Sequence, residues 1–176
     1  MRVVDTEVLV VGAGPAGSSA ATWAARSGRE VLIIDSAKFP RDKPCGDGLT
    51  PRAIAELTAL GLGNWLSGRA RNLGLRAAGF GQELLLPWPG GSLPNYGGAA
   101  PRKVLDATIL GVATDAGAQL LEETSAADVI LNDGKIESVI AKSSGDDVQI
   151  SAKQVIIADG AKSQLGRKLN RQWHRD

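Results

Sequence analysis

Aromatic side chains are scarce here: Phe, Trp and Tyr together make up 4% of the 176 residues. The four tryptophans follow no regular spacing, so Trp65 and Trp88 read as packing residues and not as a substrate box. A single cysteine, Cys45, excludes an internal disulfide and fits a reducing compartment. No apolar run approaches the ~18–20 residues of a membrane-crossing helix. The net charge of +1 offers no broad field for nucleic acid, and no nucleic-acid partner is expected. Met1 to Glu7 mixes Arg2 with Asp5 and Glu7, which is not the basic start of a secretory signal. These absences predict a cytoplasmic protein and leave room for peripheral contact at the inner face of the cell membrane. No serine or cysteine triad, metal-ligand spacing, catalytic carboxylate pair, internal repeat or low-complexity tract stands out. The lone histidine, His174, sits near the chain end and is assigned no chemistry.

Glycine, in contrast, is abundant, with 22 residues, and suits tight turns and close backbone approach. Hydrophobic residues reach 43% and charged residues 22%, the balance of a globular chain. A chain of this length buries roughly 70% of its unfolded surface, enough for a real core.

The glycines matter most in "VLVVGAGPAGSSAA", Val8 to Ala21. Glu7–Val11 reads as a buried strand. A helix is expected over Pro15–Ser27, with Pro15 in its first turn and Gly28 just beyond its end. A second apolar, β-branched strand follows over Glu30–Ile34, closed by Asp35, and the two strands are expected to be parallel. Gly12-x-Gly14-x-x-Gly17 between a strand and a helix, with an acid ending the next strand, is the dinucleotide-binding fingerprint in its proper context. Gly12 permits the sharp turn, Gly14 lets a pyrophosphate approach bare backbone, and Gly17 lets the helix pack closely on the sheet. The free N–H groups and partial positive charge of the helix start suit a diphosphate. Asp35 can accept from ribose hydroxyls and would repel a 2′-phosphate, so the site should not hold NADP. Ala21 and the fingerprint's position at the start of the chain lean towards FAD, with NAD the alternative.

Farther along, Ser36–Pro51 reads as a long, functional loop, and Arg52–Leu66 as a helix burying Ile54, Leu57, Leu60 and Leu62. Leu73–Ala100 is ambiguous: two strands, then a loop rich in Gly and Pro. Arg102–Gly117 has helical spacing, and Gln119–Glu122 is a short strand. "ADVILNDGKIESVIAK" predicts a hairpin turning at Asp133-Gly134. A third meander strand is expected near Val148–Ser151, then a separate buried strand over Gln154–Ala158 ending at Asp159-Gly160.

The loop "FPRDKPCGDGLTPRA" (Phe39–Ala53) resembles the segment after the second strand in the geranylgeranyl reductase family. These FAD-dependent enzymes are relatives of the flavoprotein hydroxylases with the p-hydroxybenzoate hydroxylase-like fold. "VIIADGAKSQLGR" (Val155–Arg167) is similar to that superfamily's Asp-Gly signature, with Asp159, Gly160, Ser163 and Arg167 in its positions. The likeness is greatest to the actinobacterial branch, in which one double bond of the menaquinone isoprenoid tail is reduced. The resemblance implies an α/β, Rossmann-like FAD/NAD(P)-binding domain with a central parallel sheet, a crossover β-meander and part of a substrate domain. Its core would be residues 5–50 and 101–170, with 51–100 inserted towards the substrate domain.

The same resemblance assigns cofactor-binding positions. Gly12, Ala13, Gly14, Pro15, Ala16 and Gly17 match the pyrophosphate turn, and Asp35 with Ser36 the ribose acid. Arg41 lies in the loop running beside flavin and pyrophosphate. Cys45, Gly46 and Asp47 match the Cys-Gly segment near the isoalloxazine, and Cys45 is the one catalytic candidate. Arg102 matches an arginine reaching the diphosphate, and Asp159 and Gly160 the second signature near ribose and pyrophosphate. As residue types alone, Cys45 reads as a small buried hydrophobe, Arg41 and Arg102 as solvated charges, and Asp159-Gly160 as a turn.

Family members run well beyond this length and carry a later Gly-Asp motif and most of the substrate cavity. The chain therefore reads as an N-terminal fragment, expected to show weak or absent catalysis alone and to expose an apolar edge or face. The function implied is FAD-dependent reduction of an isoprenoid C=C bond, with an isoprenoid lipid as substrate and NADPH or another reductant as electron donor. A flavin-dependent aromatic monooxygenase and a non-catalytic FAD-binding remnant are the alternatives.

Overall fold

The computed structural model describes residues 2–143 and 145–171. In chain order the elements are β1 (Arg2–Val11), α1 (Pro15–Arg26), β2 (Val31–Ile34), β3 (Gly48–Leu49), α2 (Pro51–Ala59), α3 (Gly63–Ser67), β4 (Arg71–Asn72), β5 (Gly74–Gly79) and β6 (Gln82–Pro87). Then come β7 (Gly97–Ala99), α4 (Arg102–Asp115), β8 (Gln119–Leu121), β9 (Ser125–Asn132), β10 (Lys135–Lys142), β11 (Asp147–Ile157) and α5 (Gln164–Lys168). The chain divides into two compact units, Met1–Arg41 with Asp106–Asp176, and Asp42–Leu105. The boundary falls within α4.

The first unit is built on a six-stranded sheet of order β8-β2-β1-β11-β10-β9. β8, β2, β1 and β11 run parallel, while β10 and β9 are antiparallel additions. The apolar runs "VLVV" and "VLII" are continuous because both faces of these strands are covered. Val8, Val10, Val31 and Ile33 face α1 and α4 residues such as Ala21, Leu110 and Ala113. Leu9, Val11, Leu32 and Ile34 pack on the other face with Val139, Ile150 and Leu165. The sheet is thus one mixed α/β layer with a parallel centre, as the sequence implies.

The hairpin between β9 and β10 turns at Asp133 (φ 48°) and Gly134 (φ 73°), the positive pair that a two-residue turn of the I′ type needs. One expectation is corrected. The third meander strand and the last buried strand are a single strand, β11, of 11 residues. No glycine or proline interrupts "DVQISAKQVII", and β1 is long enough to pair with it from Arg2↔Val148 to Val11↔Ile157. Its first half also carries β10 on the opposite edge. The parallel sheet and the meander therefore share one strand.

In the second unit the expected single helix over residues 52–66 is two helices, α2 and α3. Gly61 adopts φ +97°, and the Gly61 and Leu62 N–H groups donate back to the Thr58 and Leu57 carbonyls, a glycine-terminated helix end. Ile54, Leu57, Leu60, Leu62 and Leu66 are nevertheless all buried. β3, β7 and β4 form a small sheet, and β5 and β6 pair as a separate hairpin, register Leu75↔Leu86 and Ala77↔Leu84. An apolar recess of about 220 Å³ lies among Thr50, Pro51, Trp88, Pro89 and Leu93. Trp88 donates its indole N–H to Asn72 Oδ1 at 2.7 Å. Among the described residues no helix is long and apolar enough to cross a membrane.

Candidate functional site

Three strand ends meet at the glycine turn. The Gly12 N–H donates to the Ile34 carbonyl and the Ala158 N–H to the Val11 carbonyl, both at 2.8 Å. Gly12 has φ +102°, and a Cβ there would lie 2.5 Å from the Ala158 carbonyl oxygen. Gly17 is tighter still: its Cβ would sit 1.8 Å from the Gly12 carbonyl oxygen and 3.1 Å from Val10 Cγ1. Those two glycines are thus demanded by the protein's own packing. Gly14 differs, since a Cβ there would meet only Arg41 Nη2, at 3.4 Å. Gly14 is also the N-cap of α1 and, lacking a side chain, caps nothing. With Pro15 at the first helical position, the helix start presents the uncapped N–H groups that every helix leaves there. Ala13 is buried beneath the turn, Pro15 is half-buried and Ala16 is exposed.

Asp35 closes the turn from the side. Its Oδ2 accepts the Ala13 N–H at 2.7 Å and its Oδ1 the Ala37 N–H at 2.8 Å. The acid therefore lies against the glycine bend, and each oxygen keeps a further lone pair for a hydroxyl donor. Ser36, next to it, is exposed. Ser18 was not singled out from the sequence, yet it is fully buried and donates its hydroxyl to the Ala13 carbonyl at 2.9 Å. The signal was there: a hydroxyl directly after the third glycine, on the face turned back to the bend.

Arg41 leans over Gly14, with its guanidinium carbon 5.0 Å from the Phe39 ring centroid. Nη1 stands 3.2 Å from Oδ2 of Asp106, but it is off hydrogen-bond alignment and buried without an acceptor. Asp106 was also missed; its mark in the sequence is a lone acid inside the apolar stretch of α4. Asp159 follows β11, with its Cα 3.1 Å from the Cβ position of Gly12. Asp159 Oδ2 accepts the Gln164 N–H at 3.0 Å, while Oδ1 is buried with no partner. Gly160 is exposed and has φ +93°. Ser163 caps α5 by accepting the Gly166 N–H at 2.8 Å.

The remaining sequence candidates belong to the second unit. Cys45 is exposed, so the expectation of a small buried hydrophobe fails: its loop supplies no apolar cover. Gly46 has open space where a Cβ would go. Asp47 has φ 56°, and its carboxylate accepts the Arg102 N–H at 3.2 Å. Its carbonyl accepts the Ala100 N–H at 3.0 Å. Asp47 thus caps the start of α4, and Arg102 is half-buried in the first turn of that helix. Among the described residues no cluster of His, Cys, Asp or Glu could hold a metal ion. His174 lies outside the described residues.

These groups fit an adenine dinucleotide. The Gly14 bend is open to an anion, Arg41 Nη1 lacks an acceptor, and Asp159 Oδ1 lacks a donor. Buried polar atoms left unpaired in this way are rare and call for an occupant. A parallel sheet, a bare glycine turn under a helix start and an acid at the next strand end define a dinucleotide-binding domain of the Rossmann type. The chain belongs to the FAD binding domain family, whose model matches residues 5–175.

Within that class the likenesses are narrower. The chain is 55% identical to the menaquinone reductase of Mycobacterium tuberculosis across 100% of its own length and 43% of the relative's. It is 34% identical to digeranylgeranylglycerophospholipid reductase 2 of Methanosphaera stadtmanae, over 94% of this chain and 42% of that one. Among solved structures, a geranylgeranyl bacteriochlorophyll reductase-like protein from Thermoplasma acidophilum superposes with a TM-score of 0.76 at 28% identity. That match covers 94% of this chain and 42% of the other. The chain thus spans less than half the length of the relatives it matches.

Proposed function

We propose that the protein carrying this chain is an FAD-dependent reductase that saturates a C=C bond in an isoprenoid chain, with the menaquinone tail as substrate. The observation that carries this reading is the 55% identity to the mycobacterial menaquinone reductase along the whole chain. The orphaned polar atoms around the glycine turn support the cofactor half of it.

When bound, FAD supplies hydride chemistry: its reduced form gives a hydride to one alkene carbon and is itself oxidised. The chain's residues do the holding. The Gly14 bend and the start of α1 take the diphosphate, and Arg41 adds a charged donor above the same bend. Asp35 accepts from the adenosine ribose, with Ser36 beside it. Asp159 Oδ1 accepts from a cofactor hydroxyl, and Gly160 lets the chain turn away. Arg102 stands where the family resemblance puts a diphosphate-binding arginine, and Asp47 holds the start of α4 by accepting the Arg102 N–H. An isolated alkene is not polarised, so a proton must reach the second carbon in concert with the hydride. Cys45, an exposed thiol next to Gly46, is the candidate donor. Residues 51–100 lead towards the substrate part of the protein. A lipid substrate places the enzyme in the cytoplasm at the inner face of the membrane, with NADPH or another reductant as electron source.

The test is an anaerobic incubation of the full-length protein with FAD, a reductant and menaquinone, followed by mass spectrometry. A product heavier by two hydrogens, lost or much reduced in Cys45→Ala, is expected. An unchanged lipid, together with NADPH consumption stimulated by a phenol in a parallel aerobic assay, would sink this reading in favour of an aromatic monooxygenase.

A further inference from the structure

Asp106 is a carboxylate without any solvent exposure, set in α4 beside Leu105 and close to Ile109 and Leu110. An ionised carboxylate in such a place is costly unless paired. Its Oδ2 stands 3.2 Å from Arg41 Nη1, and the arginine side chain is only 16% exposed. The guanidinium is thus bounded by three things: the Asp106 carboxylate, the Phe39 ring at 5.0 Å, and the Gly14 bend, 3.4 Å from Nη2 to the vacant Cβ position.

Stability alone does not account for this pair. A buried ion pair is often no more stabilising than apolar side chains of the same volume, and Nη1 remains without a hydrogen bond. A guanidinium held in one orientation does have a use, because its planar fork suits two oxygens of a phosphate group. Held by a flexible stem alone, it would lose that alignment to rotamer freedom.

We propose that Asp106 is a positioning residue for diphosphate binding: without touching the cofactor, it fixes the Arg41 fork above the Gly14 bend. This rests on the reading of the glycine turn as the FAD diphosphate site. The two residues are then coupled. With Arg41 in place, Asp106 helps an anion bind. With the guanidinium removed, Asp106 has no fork left to hold, and neutralising it no longer costs affinity for the anion.

The experiment is a four-protein cycle on the full-length protein: wild type, Asp106→Asn, Arg41→Ala and the double variant. The dissociation constant for FAD is read from flavin fluorescence, and folding from circular dichroism and apo melting. Asp106→Asn is expected to weaken FAD by about tenfold when Arg41 is present, the scale of one well-aligned charged contact. In the Arg41→Ala background the same change should leave affinity unchanged. A purely structural carboxylate would weaken FAD by the same factor in both backgrounds, and that result overturns the proposal, as does full affinity in Asp106→Asn. If Asp106→Asn fails to fold, Asp106→Ser replaces it in the same cycle. A folded wild type that binds no FAD overturns the cofactor reading together with the inference, whereas a wild type that binds FAD with an additive cycle overturns the role of Asp106 alone.

Discussion

Gly17 and Gly46 are both glycines in segments assigned to the cofactor, yet they carry very different constraints. At Gly17 an added Cβ would lie 1.8 Å from a backbone carbonyl oxygen, whereas at Gly46 it would meet nothing within 4 Å. Gly17→Ala is therefore expected to cost at least the ~1–3 kcal/mol of an overpacked core, because backbone, not a pliable side chain, must give way. Gly46→Ala should stay within about 0.5 kcal/mol of wild type. Urea denaturation of the two variants checks the pair; equal effects would show that the turn relaxes in a way its geometry does not suggest. The same contrast separates Gly12 and Gly17, which the protein's own backbone demands, from Gly14, where an added Cβ would meet only Arg41 Nη2 at 3.4 Å.

At the scale of elements, the β5–β6 hairpin stands out. Opposite residues of an antiparallel pair share a face, so Leu75, Leu86, Ala77 and Leu84 line one side. The other side carries an Arg76–Glu83 ion pair at 2.7 Å. Leu75, Leu84 and Leu86 are 45–56% exposed, and Phe80 at the turn is fully so. Both strands lack further neighbours in their sheet, and an isolated two-stranded hairpin is marginal in water. An apolar patch of this kind promotes self-association. Leu84→Lys together with Leu86→Lys is expected to lower light scattering and shift gel filtration towards monomer, with little change in thermal midpoint. Unchanged scattering would mean that another surface drives association. The expectation of an exposed apolar face came from the fragment reading, but its location in the ambiguous stretch 73–100 was not legible. Alternation there is blurred by "LLLP", which puts Leu85 on the charged face.

For the whole first unit, acid sensitivity runs partly through Glu7. Glu7 accepts the Glu30 N–H at 3.1 Å and pairs with Lys153 at 3.0 Å, joining β1 to the chain before β2 and to β11. The Glu30 backbone hydrogen bond first, then Lys153, hold its carboxyl below the ordinary 4.5. A lowered folded value means the stabilisation is present above pH 4.5 and is lost as pH falls through the folded value. Glu7→Gln should melt less steeply with falling pH below about 4.5 than wild type, and should differ least from it at the acid end. Thermal midpoints measured from about pH 7 to about pH 3 check this, and parallel curves would remove Glu7 from the account. The carboxylate is exposed, so the effect is small and screened by salt.

The sequence by itself determined the nucleotide half of this protein. A glycine turn is read locally: an apolar strand, a backbone that excludes Cβ atoms and a helix start all lie within one short stretch, and Asp35 ends the next strand. The Asp133-Gly134 turn was legible for the same reason, since positive φ at both positions leaves few residue choices. Only the tertiary structure decided what depended on distant partners. β11 is one strand because β1 runs beside its full length. The helix over residues 52–66 breaks because Gly61 adopts a positive φ, which periodicity does not register. Cys45 is exposed because no apolar segment covers its loop. Arg41 and Asp106 lie far apart in the chain, and nothing in local spacing announces that a buried carboxylate on α4 meets a guanidinium above Gly14. Local backbone geometry is written in neighbouring residues, whereas burial and charge pairing arise only once the sheet has brought remote segments together.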